Sequence, residues 1–261
     1  MLAEERKKHI LTKLSAEGAV HVGALAVEMN VSVETIRRDI KELHKQHMLK
    51  QVHGGAIPIS KSPFRKDPDL QTRKEAELEE RQRIARQAVL HLNKGETIAI
   101  NEGVTSDELA KALPGDYNLT IYTSSISVAY ILYQRIHEGS FSGQVCMLGG
   151  SINSLKKVIN NETAYDLLDR MRFDKVFLAA TAVDVNGAME TTYETGKTGE
   201  VLVQHSIQRY LLVASSKFGY SSTYCFCPLN EIHYIITDSK HPIQADLREQ
   251  FEELGGKIEI C

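Results

Sequence analysis

The sequence predicts a two-domain protein of α+β and α/β class, in which an N-terminal winged helix-turn-helix precedes a larger C-terminal α/β domain. Residues 32–40 have the pattern of a short basic helix that begins after a turn. Beyond residue 96, apolar runs alternate with polar loops and helical stretches, which is typical of a parallel sheet covered by helices. With 261 residues, the chain has enough material for one small and one larger unit.

The helix that begins near residue 32 is the predicted reader helix. Ser32 can cap it, because its side-chain oxygen can accept a backbone N–H from the first turn. Ile36, Ile40 and Leu43 are spaced at i, i+4 and i+7, so one face of the helix is apolar and can pack inward. The opposite face is free to meet a DNA groove. The candidate DNA contacts on this helix are Ser32, Val33, Thr35, Arg37, Arg38 and Lys41.

Further patterns complete a winged motif around the reader helix. Apolar residues at helical spacing between 10 and 29 predict two preceding helices, and residues 30–31 fit the turn that leads into the reader helix. Residues 48–57 alternate around a Gly-Gly pair, as the β-hairpin of a wing would. His53 and Gly54, near the tip of this hairpin, are added to the candidate DNA contacts.

The spacing of the motif residues resembles the DeoR-type helix-turn-helix signature. A Thr-x-Arg-Arg segment alone also fits an ordinary solvated helix face, but the upstream spacing and the wing favour DNA binding. The resemblance implies a DNA-binding transcriptional regulator whose partner is a double-stranded DNA operator. The residues that match the signature are Arg6, Ile10, Leu14, Ser32 and 35–40.

The charge distribution permits DNA binding without proving it. The first 60 residues hold 9 Lys and Arg against 7 Asp and Glu, and the remainder holds 22 against 27. The N-terminal part is therefore slightly basic and the rest is acidic, while the whole chain has a formal net charge of −3.

Cysteine usage and hydropathy predict a cytoplasmic protein without metal or cofactor. Four scattered cysteines are too few for a secreted disulfide scaffold, and Cys225 and Cys227 have no second Cys/His pair at ligand spacing. A strand with two small apolar side chains explains this pair better than a zinc site. The first residues are charged, and no apolar run approaches the roughly 20 residues of a membrane span.

The predicted domains are residues 1–58 for the winged head, 59–80 for a linker rich in charge and proline, and 81–261 for the α/β domain. A helix from the linker through Leu92 is expected to close at Gly95. The expected sheet has six or seven strands. The predicted strands are 97–100, 119–122, 145–148, 176–180, 210–214 and 233–237, and further helices are expected at 109–113, 128–136, 162–171, 194–206 and 242–253.

Small polar residues follow the first two strands of this sheet. Gly103, Thr105 and Ser106 lie after the first strand, and Thr123 and Ser124 lie after the second. Backbone N–H groups and hydroxyls at such a helix start can surround a phosphate group. The same residue types also serve as ordinary turn and capping residues, so both interpretations stay open at this point.

The C-terminal half resembles the sensor domain of DeoR regulators, which is similar in fold to ribose-5-phosphate isomerase and coenzyme A transferase. More loosely, it is similar to lactose phosphotransferase-system repressors. The resemblance implies a phosphorylated sugar as effector and adds Gly149 and Lys217 to the candidate effector residues. The landmarks that carry it are 103–106, 123–124, 148–150, 172–175 and 216–219.

The chain departs from the family pattern at several pocket positions. The family usually has Asp where Asn101 stands, an acidic glycine-rich turn at 179–182, Lys near Gly199 and Asp near Ser215. The resemblance therefore implies an altered pocket, which would take a different sugar phosphate or none. Lys197 would replace the missing lysine only with a shift in helix register.

Two classes of function remain. The leading hypothesis is a repressor of a carbohydrate-utilisation operon, working as a homodimer or homotetramer. The alternative is an isomerase-like sugar-phosphate enzyme with a DNA-binding head, which would need a general base near the substrate. No catalytic residue is assigned, because residues 179–182 offer no base. Asp107 and Glu108 are interpreted as acids at the start of a helix.

Overall fold

A computed structural model of the protein describes residues 3–17, 20–45, 48–52, 54–57, 77–149, 151–153, 158–160, 165 and 167–261. The chain forms two compact units, Met1–Pro63 and Phe64–Cys261.

The first unit is a winged helix-turn-helix, as predicted. Strands β2 and β3 form the wing hairpin, and β1 adds a third antiparallel strand beside β3. The sequence did not indicate β1, because two residues are too short to show alternation. The elements of this unit are α1 Ala3–Glu17, β1 Val20–His21, α2 Val22–Glu28, α3 Val33–Lys45, β2 Lys50–Val52 and β3 Gly55–Ile57.

Apolar side chains from all three helices form the core of the first unit. Ile10 of α1, Leu25 of α2, and Ile36 and Ile40 of α3 are fully buried together. Asn30 takes a left-handed conformation with φ of 50° and so allows the tight turn between α2 and α3. The predicted apolar face of the reader helix α3 therefore points inward.

The second unit is built around a seven-stranded parallel sheet. The strand order is β15-β14-β12-β9-β4-β5-β6, and every neighbouring pair is parallel. The strands of this sheet are β4 Thr97–Ile100, β5 Thr120–Thr123, β6 Gln144–Met147, β9 Phe173–Leu178, β12 Ser206–Leu212, β14 Tyr234–Thr237 and β15 Lys257–Ile260.

Helices cover both faces of the sheet, as a parallel sheet requires. One apolar core joins the sheet to α4, α5 and α6, and the other joins it to α7 and α8. The helices are α4 Leu78–Val89, α5 Val104–Ala112, α6 Ile126–His137, α7 Tyr193–Gln204 and α8 Ala245–Glu253.

Two small antiparallel sheets accompany the main sheet and were not predicted. One pairs β7 with β8, and the other has the order β10-β11-β13. Their strands have three to five residues, too few for a strong period-2 pattern. Cys225 and Cys227 lie in β13, in agreement with the strand interpretation of this pair. The strands are β7 Ser151–Asn153, β8 Val158–Asn160, β10 Ala182–Asp184, β11 Gly187–Glu190 and β13 Tyr224–Pro228.

The prediction that Gly95 closes the helix after the linker is wrong. Helix α4 ends at Val89, because the N–H groups of Leu90, His91 and Leu92 bond three residues back and tighten the last turn. Gly95 instead lies in the turn before β4, with φ of 79°. The helix also begins at Leu78, within the predicted linker.

Other element limits also differ from the sequence expectations. Strand β9 ends at Leu178, two residues before the predicted end at residue 180, and β12 begins at Ser206, four residues before the predicted start at 210. Most of the linker, at 58–76, and residues 162–164 and 166 of the helix expected at 162–171 lie outside the described residues.

Candidate functional site

The start of the reader helix α3 is held by its own side chains. Ser32 Oγ accepts the backbone N–H of Thr35 at 3.1 Å, which confirms the predicted cap. The Ser32 and Thr35 hydroxyls also lie 2.8 Å apart. Both hydroxyls therefore support the helix start, and Thr35 is half-buried rather than fully turned to solvent.

The outer face of the reader helix is basic and exposed. Arg37, Arg38 and Lys41 are all exposed, and Val33 beside them is 42% exposed. Arg37 Nη1 lies 3.5 Å from Glu34 Oε2, which is a loose contact between exposed groups. Three cationic side chains are thus available on one face of a helix that the turn presents outward.

The wing hairpin, which follows the reader helix in sequence, contains a tight backbone turn. Gly54 joins β2 to β3 with φ of 83°, a left-handed conformation that favours glycine. The position is exposed, and a Cβ there would meet no atom within 4 Å. The glycine is therefore required by the turn conformation and not by crowding. His53 lies outside the described residues.

Ion pairs between α1 and α3 hold the reader helix on the side opposite its exposed basic face. The Arg6 guanidinium makes two bonds to the Asp39 carboxylate, Nε to Oδ2 at 2.8 Å and Nη2 to Oδ1 at 3.2 Å. Asp39 is 4% exposed. Lys7 Nζ lies 2.9 Å from Glu42 Oε1 and adds a second link. A positioning role for Arg6 and Asp39 was not predicted, although Asp39 lies between Ile36 and Leu43 on the inward stripe.

In the second unit, the candidate effector residues follow neighbouring strands of the parallel sheet. Parallel strands end at one common edge, so loops after β12, β9, β4, β5 and β6 line the carboxyl edge in that order. The fold thus gathers at one edge residues that are far apart in sequence. The candidates at this edge are Gly103, Thr105, Ser106, Thr123, Ser124, Gly149 and Lys217.

Asn101 and Gly103 join the ends of β4 and β9. Asn101 Nδ2 donates to the Ala179 carbonyl at 3.0 Å, and Asn101 Oδ1 accepts the Ala179 N–H at 2.7 Å. Gly103 has φ of 154°, and a Cβ there would lie 2.5 Å from the Ala179 Cβ. Only glycine fits this close approach, which brings the start of α5 against the end of β9.

The hydroxyl groups at this edge fall into two sets. Thr123 Oγ1 accepts the Ser125 N–H at 3.0 Å, and Ser106 Oγ donates to Asn101 Oδ1 at 3.4 Å, so both support their own loops. Thr105 Oγ1 and Ser124 Oγ are buried and have no hydrogen-bond partner among the described residues. A buried hydroxyl without a partner carries a desolvation cost that a ligand oxygen could offset.

The other two candidates differ in their surroundings. Lys217 lies just after β12 in a short 3₁₀ turn, and its ammonium donates to the Ala180 carbonyl at the end of β9. It is half-buried and anchored, unlike an ordinary surface lysine. Gly149 is exposed after β6, and a Cβ there would meet no atom within 4 Å.

Carboxylates that the sequence reasoning missed also lie at this edge. Asp238 follows β14, is 2% exposed, and accepts Ser215 Oγ at 2.6 Å and Ser215 N–H at 2.7 Å. Burial opposes its charge, but the hydrogen bonds from Ser215 and from backbone N–H groups, including that of Lys240, together keep the pKa of Asp238 below its ordinary value. Glu190 is likewise buried and accepts Thr181 Oγ1 at 2.9 Å.

Asp107 and Glu108, which the sequence marked as the nearest carboxylates, are both buried at the start of α5. Asp107 accepts Ser127 Oγ at 2.6 Å, and Glu108 pairs with Lys111 Nζ at 2.6 Å. Only Asp107 lies in the first turn of the helix. The Asp107 side chain therefore connects helices α5 and α6 and does more than favour the helix dipole.

Neither a metal cluster nor a membrane helix is found in the described part of the chain. No three His, Cys, Asp or Glu side chains among those residues lie together as a metal site needs. Across the same ranges, no helix combines the length and the apolar character required to span a membrane.

A winged helix-turn-helix joined to a parallel α/β domain defines the class of DNA-binding regulators with a sensor domain. Residues 6–62 match the DeoR-like helix-turn-helix domain, and residues 76–239 match the DeoR C-terminal sensor domain. The chain belongs to the DeoR family of transcriptional regulators.

Relatives align along almost the whole chain. A lactose phosphotransferase system repressor of Staphylococcus epidermidis is 32% identical over 256 residues, covering 98% of both chains. The HTH-type transcriptional regulator GlpR of Haloferax volcanii is 30% identical and covers 98% of this chain and 96% of its own. Among solved structures, ribose 5-phosphate isomerase A of Methanocaldococcus jannaschii is 13% identical with a TM-score of 0.40, covering 54% of this chain and 55% of its own.

These relatives favour the regulator over the isomerase-like enzyme. The matched head is a DNA-binding domain, and the full-length relatives are named as transcriptional repressors and regulators. The chain is therefore a DNA-binding transcriptional regulator and not an enzyme.

Proposed function

We propose that this chain represses a carbohydrate-utilisation operon and leaves its operator when a phosphorylated sugar binds the second unit. The observation that carries the effector part is the pair of buried hydroxyls on Thr105 and Ser124, which lack partners within the described residues at the carboxyl edge of the sheet. The full-length likeness to lactose phosphotransferase system repressors supports the link to carbohydrate.

In this proposal the reader helix enters the major groove. Arg37, Arg38 and Lys41 supply contacts to phosphates or base edges, because they are exposed on one face. Ser32 and Thr35 hold the helix start from which these side chains project. The remaining proposed DNA contacts are Val33, His53 and Gly54.

The phosphate of the effector is proposed to bind where α5 begins. The first N–H groups of a helix have no intrahelical acceptor, and the helix dipole favours an anion there. Gly103 allows the loop to pass close to β9, while Thr105 and Ser124 offer hydroxyl donors. Ser106, Thr123, Gly149 and Lys217 complete the proposed effector set.

Control of DNA binding is proposed to be a population shift in an oligomer. Residues 1–58 would bind DNA, and residues 59–80 would link them to the second domain. Residues 81–261 would bind the effector and join copies of the chain into a homodimer or homotetramer. Effector binding would favour arrangements in which two heads no longer match two half-sites. In this proposal the protein acts in the cytoplasm.

The effector is expected to bind without being converted. Asp107, Asp238 and Glu190 each accept a hydrogen bond from a serine or threonine hydroxyl. Each of these bonds occupies a carboxylate oxygen that a general base would need to accept a proton. Binding the phosphate, in contrast, requires only N–H groups and hydroxyls.

The test begins with a panel of pentose and hexose phosphates, scored by the melting temperature of the full chain. A true effector at 100 times its dissociation constant stabilises by about 2.7 kcal/mol. Thr105→Ala should abolish the shift, whereas Thr97→Ala, at the opposite end of β4, should keep it. The same effector should release the protein from a duplex selected from random sequence by the full chain.

Each part of the proposal can fail separately. No shift with any phosphorylated sugar would remove the effector and leave a DNA-binding regulator with another trigger. A shift that Thr105→Ala does not change would move the effector to another place. Isomer formation above background, followed by NMR, would contradict binding without turnover.

A further inference from the structure

The reader helix α3 has one apolar side chain that does not pack into the core of the first unit. Within the described range 20–45, which includes all of α3, the three other apolar residues of the helix are at most 1% exposed, whereas Val33 is 42% exposed. The core of the first unit, as far as it is described, includes Val31 just before the helix but not Val33. Single exposed apolar side chains are common on protein surfaces, so its location decides what Val33 can contact.

Val33 lies at the end of α3 that approaches the bases in a helix-turn-helix. It is the first residue of the helix and directly follows Ser32, whose Oγ accepts the Thr35 N–H at 3.1 Å. In this motif the N-terminal residues of the reader helix contact base edges in the major groove. The cap orders the backbone of the first turn, so the direction in which the Val33 side chain leaves the helix is set before DNA binds.

The charged neighbours of Val33 attract an anionic partner. Arg37 follows it at i+4 and Lys41 at i+8, so these three side chains share one side of α3. The exposed acid of the same turn, Glu34, lies 3.5 Å from the Arg37 guanidinium. Together with Arg38, the exposed cations at residues 33–41 outnumber this one exposed acid. Such a surface suits the phosphate backbone of DNA better than the apolar surface of another protein.

The chemistry of valine restricts what it can recognise on DNA. Its two methyl groups neither donate nor accept a hydrogen bond, so they gain nothing from a phosphate. Against a polar base edge they would displace water without replacing its hydrogen bond. The C5-methyl group of thymine is the apolar group that the base edges present in the major groove. Valine is also stiff at χ1, so holding it against such a group costs little conformational freedom.

We propose that Val33 selects a thymine in the operator by packing against its C5-methyl group in the major groove. Cytosine at the same place lacks this methyl group and presents an N4 amino donor, which the valine would desolvate. The proposal names the base group that Val33 contacts, and it rests on the proposed entry of α3 into the major groove. It requires neither the effector nor a particular number of subunits.

The test replaces thymine by uracil, which lacks only the C5-methyl group. The operator is the duplex selected from random sequence by the full wild-type chain, and each thymine in turn is replaced by uracil in binding titrations at one salt concentration. At the thymine that Val33 contacts, the wild type should lose about fourfold in affinity, the factor expected for one buried methyl group. Val33→Ala should bind the thymine duplex more weakly than the wild type and lose nothing further when uracil replaces that thymine.

Val27→Ala is the matched control, because Val27 is an 83% exposed valine of the same unit that lies on α2 and not on the reader helix. This variant should keep the wild-type affinity and the wild-type loss with uracil. Circular dichroism melting of both variants checks that they are folded. A melting temperature equal to that of the wild type is expected for Val33→Ala, since its side chain is exposed.

The other outcomes overturn the proposal in distinguishable ways. If uracil weakens the wild type and Val33→Ala equally at every sensitive position, another side chain contacts the thymine methyl. If uracil weakens the wild type nowhere, Val33 reads no thymine. Replacing guanines by 7-deazaguanine, which lacks the N7 acceptor of the major groove, then tests the docking itself. A loss of affinity with 7-deazaguanine would leave the entry of α3 into the groove intact, whereas no loss with either base would reject that entry as well.

Discussion

The side-chain amide of Asn101 is paired with the backbone of Ala179 through two hydrogen bonds. One bond is donated by Asn101 Nδ2 to the Ala179 carbonyl and the other is accepted by Asn101 Oδ1 from the Ala179 N–H. The pair joins the ends of the neighbouring strands β4 and β9, just before the loop that starts α5. An amide can donate and accept in this way, whereas an ionised carboxylate can only accept. Asn101 is therefore a structural clamp beneath the proposed effector site.

Asn101→Asp is expected to destabilise the second unit, although the family commonly has Asp at this position. An ionised carboxylate would face the Ala179 carbonyl in a site that is 2% exposed in the wild type. The cost should be about 1–3 kcal/mol at pH 7.5, because one buried acceptor loses its donor. Protonation restores a donor, so the loss should shrink toward pH 5.

Urea unfolding of the wild type and Asn101→Asp at both pH values measures this effect. Asn118→Asp serves as the control, because Asn118 is exposed in the turn before β5. Equal stability of Asn101→Asp and the wild type at pH 7.5 would show that the clamp is dispensable.

Asp238 should contribute acid-sensitive stability. Its carboxylate accepts the Ser215 hydroxyl, the Ser215 N–H and the Lys240 N–H, the last at 2.9 Å. Because the folded pKa is depressed, this stabilisation is present above the unfolded value of about 3.9 and is lost as pH falls through the folded pKa. Asp238→Asn should cost about 1.5–3 kcal/mol at pH 7.

The measurement is the free energy of unfolding of both proteins from pH 7 to pH 3. The gap between wild type and Asp238→Asn should narrow as the pH falls below about 4. Asp246→Asn, at an exposed position in α8, should differ little from wild type at any pH. A gap that stays constant over this range would mean that the charge of Asp238 is not what stabilises the fold.

Strong local patterns made much of the fold predictable. The Ser32 cap and the stripe of Ile36, Ile40 and Leu43 fixed the start and the inward face of the reader helix, and both are confirmed. The alternation of apolar runs with polar loops was enough to predict the parallel sheet. These features are encoded within a few consecutive residues, so tertiary contacts did not alter them.

The features that were missed depend on long-range contacts. Asp238 contacts Ser215, which follows the neighbouring strand, and Asn101 contacts Ala179, which is 78 residues away in sequence. Neither pairing produces a pattern among neighbouring residues of the sequence from which it could be predicted. Asp39 is different, because its place on the inward stripe of α3 was visible and a buried carboxylate requires a cation. Its partner Arg6 lies on another helix.

The ion pair between Arg6 and Asp39 is expected to position the reader helix. Asp39 is buried, and removing one partner leaves the other charge without this pairing, so Arg6→Ala or Asp39→Ala alone should lower the free energy of unfolding. The double variant should cost less than the sum, because no unpaired charge remains. Urea unfolding of the four proteins gives the coupling energy, and additive losses would contradict a direct pairing.

Arg37 and Arg38 are expected to contact the operator. Both side chains lie outside the apolar face near the start of the reader helix, and both are exposed. Replacing both by Ala therefore removes their interactions with DNA without disturbing the core. Each arginine should be worth about 1–3 kcal/mol of binding free energy. For every phosphate that the variant no longer neutralises, the slope of log K against log salt should become shallower by about 0.9.

The operator for this measurement is the duplex selected by the full wild-type chain, and affinity is measured at several salt concentrations. The control is Arg170→Ala with Lys257→Ala, which removes two exposed cations from the second unit. If general charge attraction dominated, the control would weaken binding as much as the arginine pair does. If Arg37 and Arg38 bind the operator directly, only their replacement changes both the affinity and the slope, while the melting temperature stays that of the wild type. An unchanged affinity and slope in the Arg37 and Arg38 double variant would show that another face of the head reads DNA.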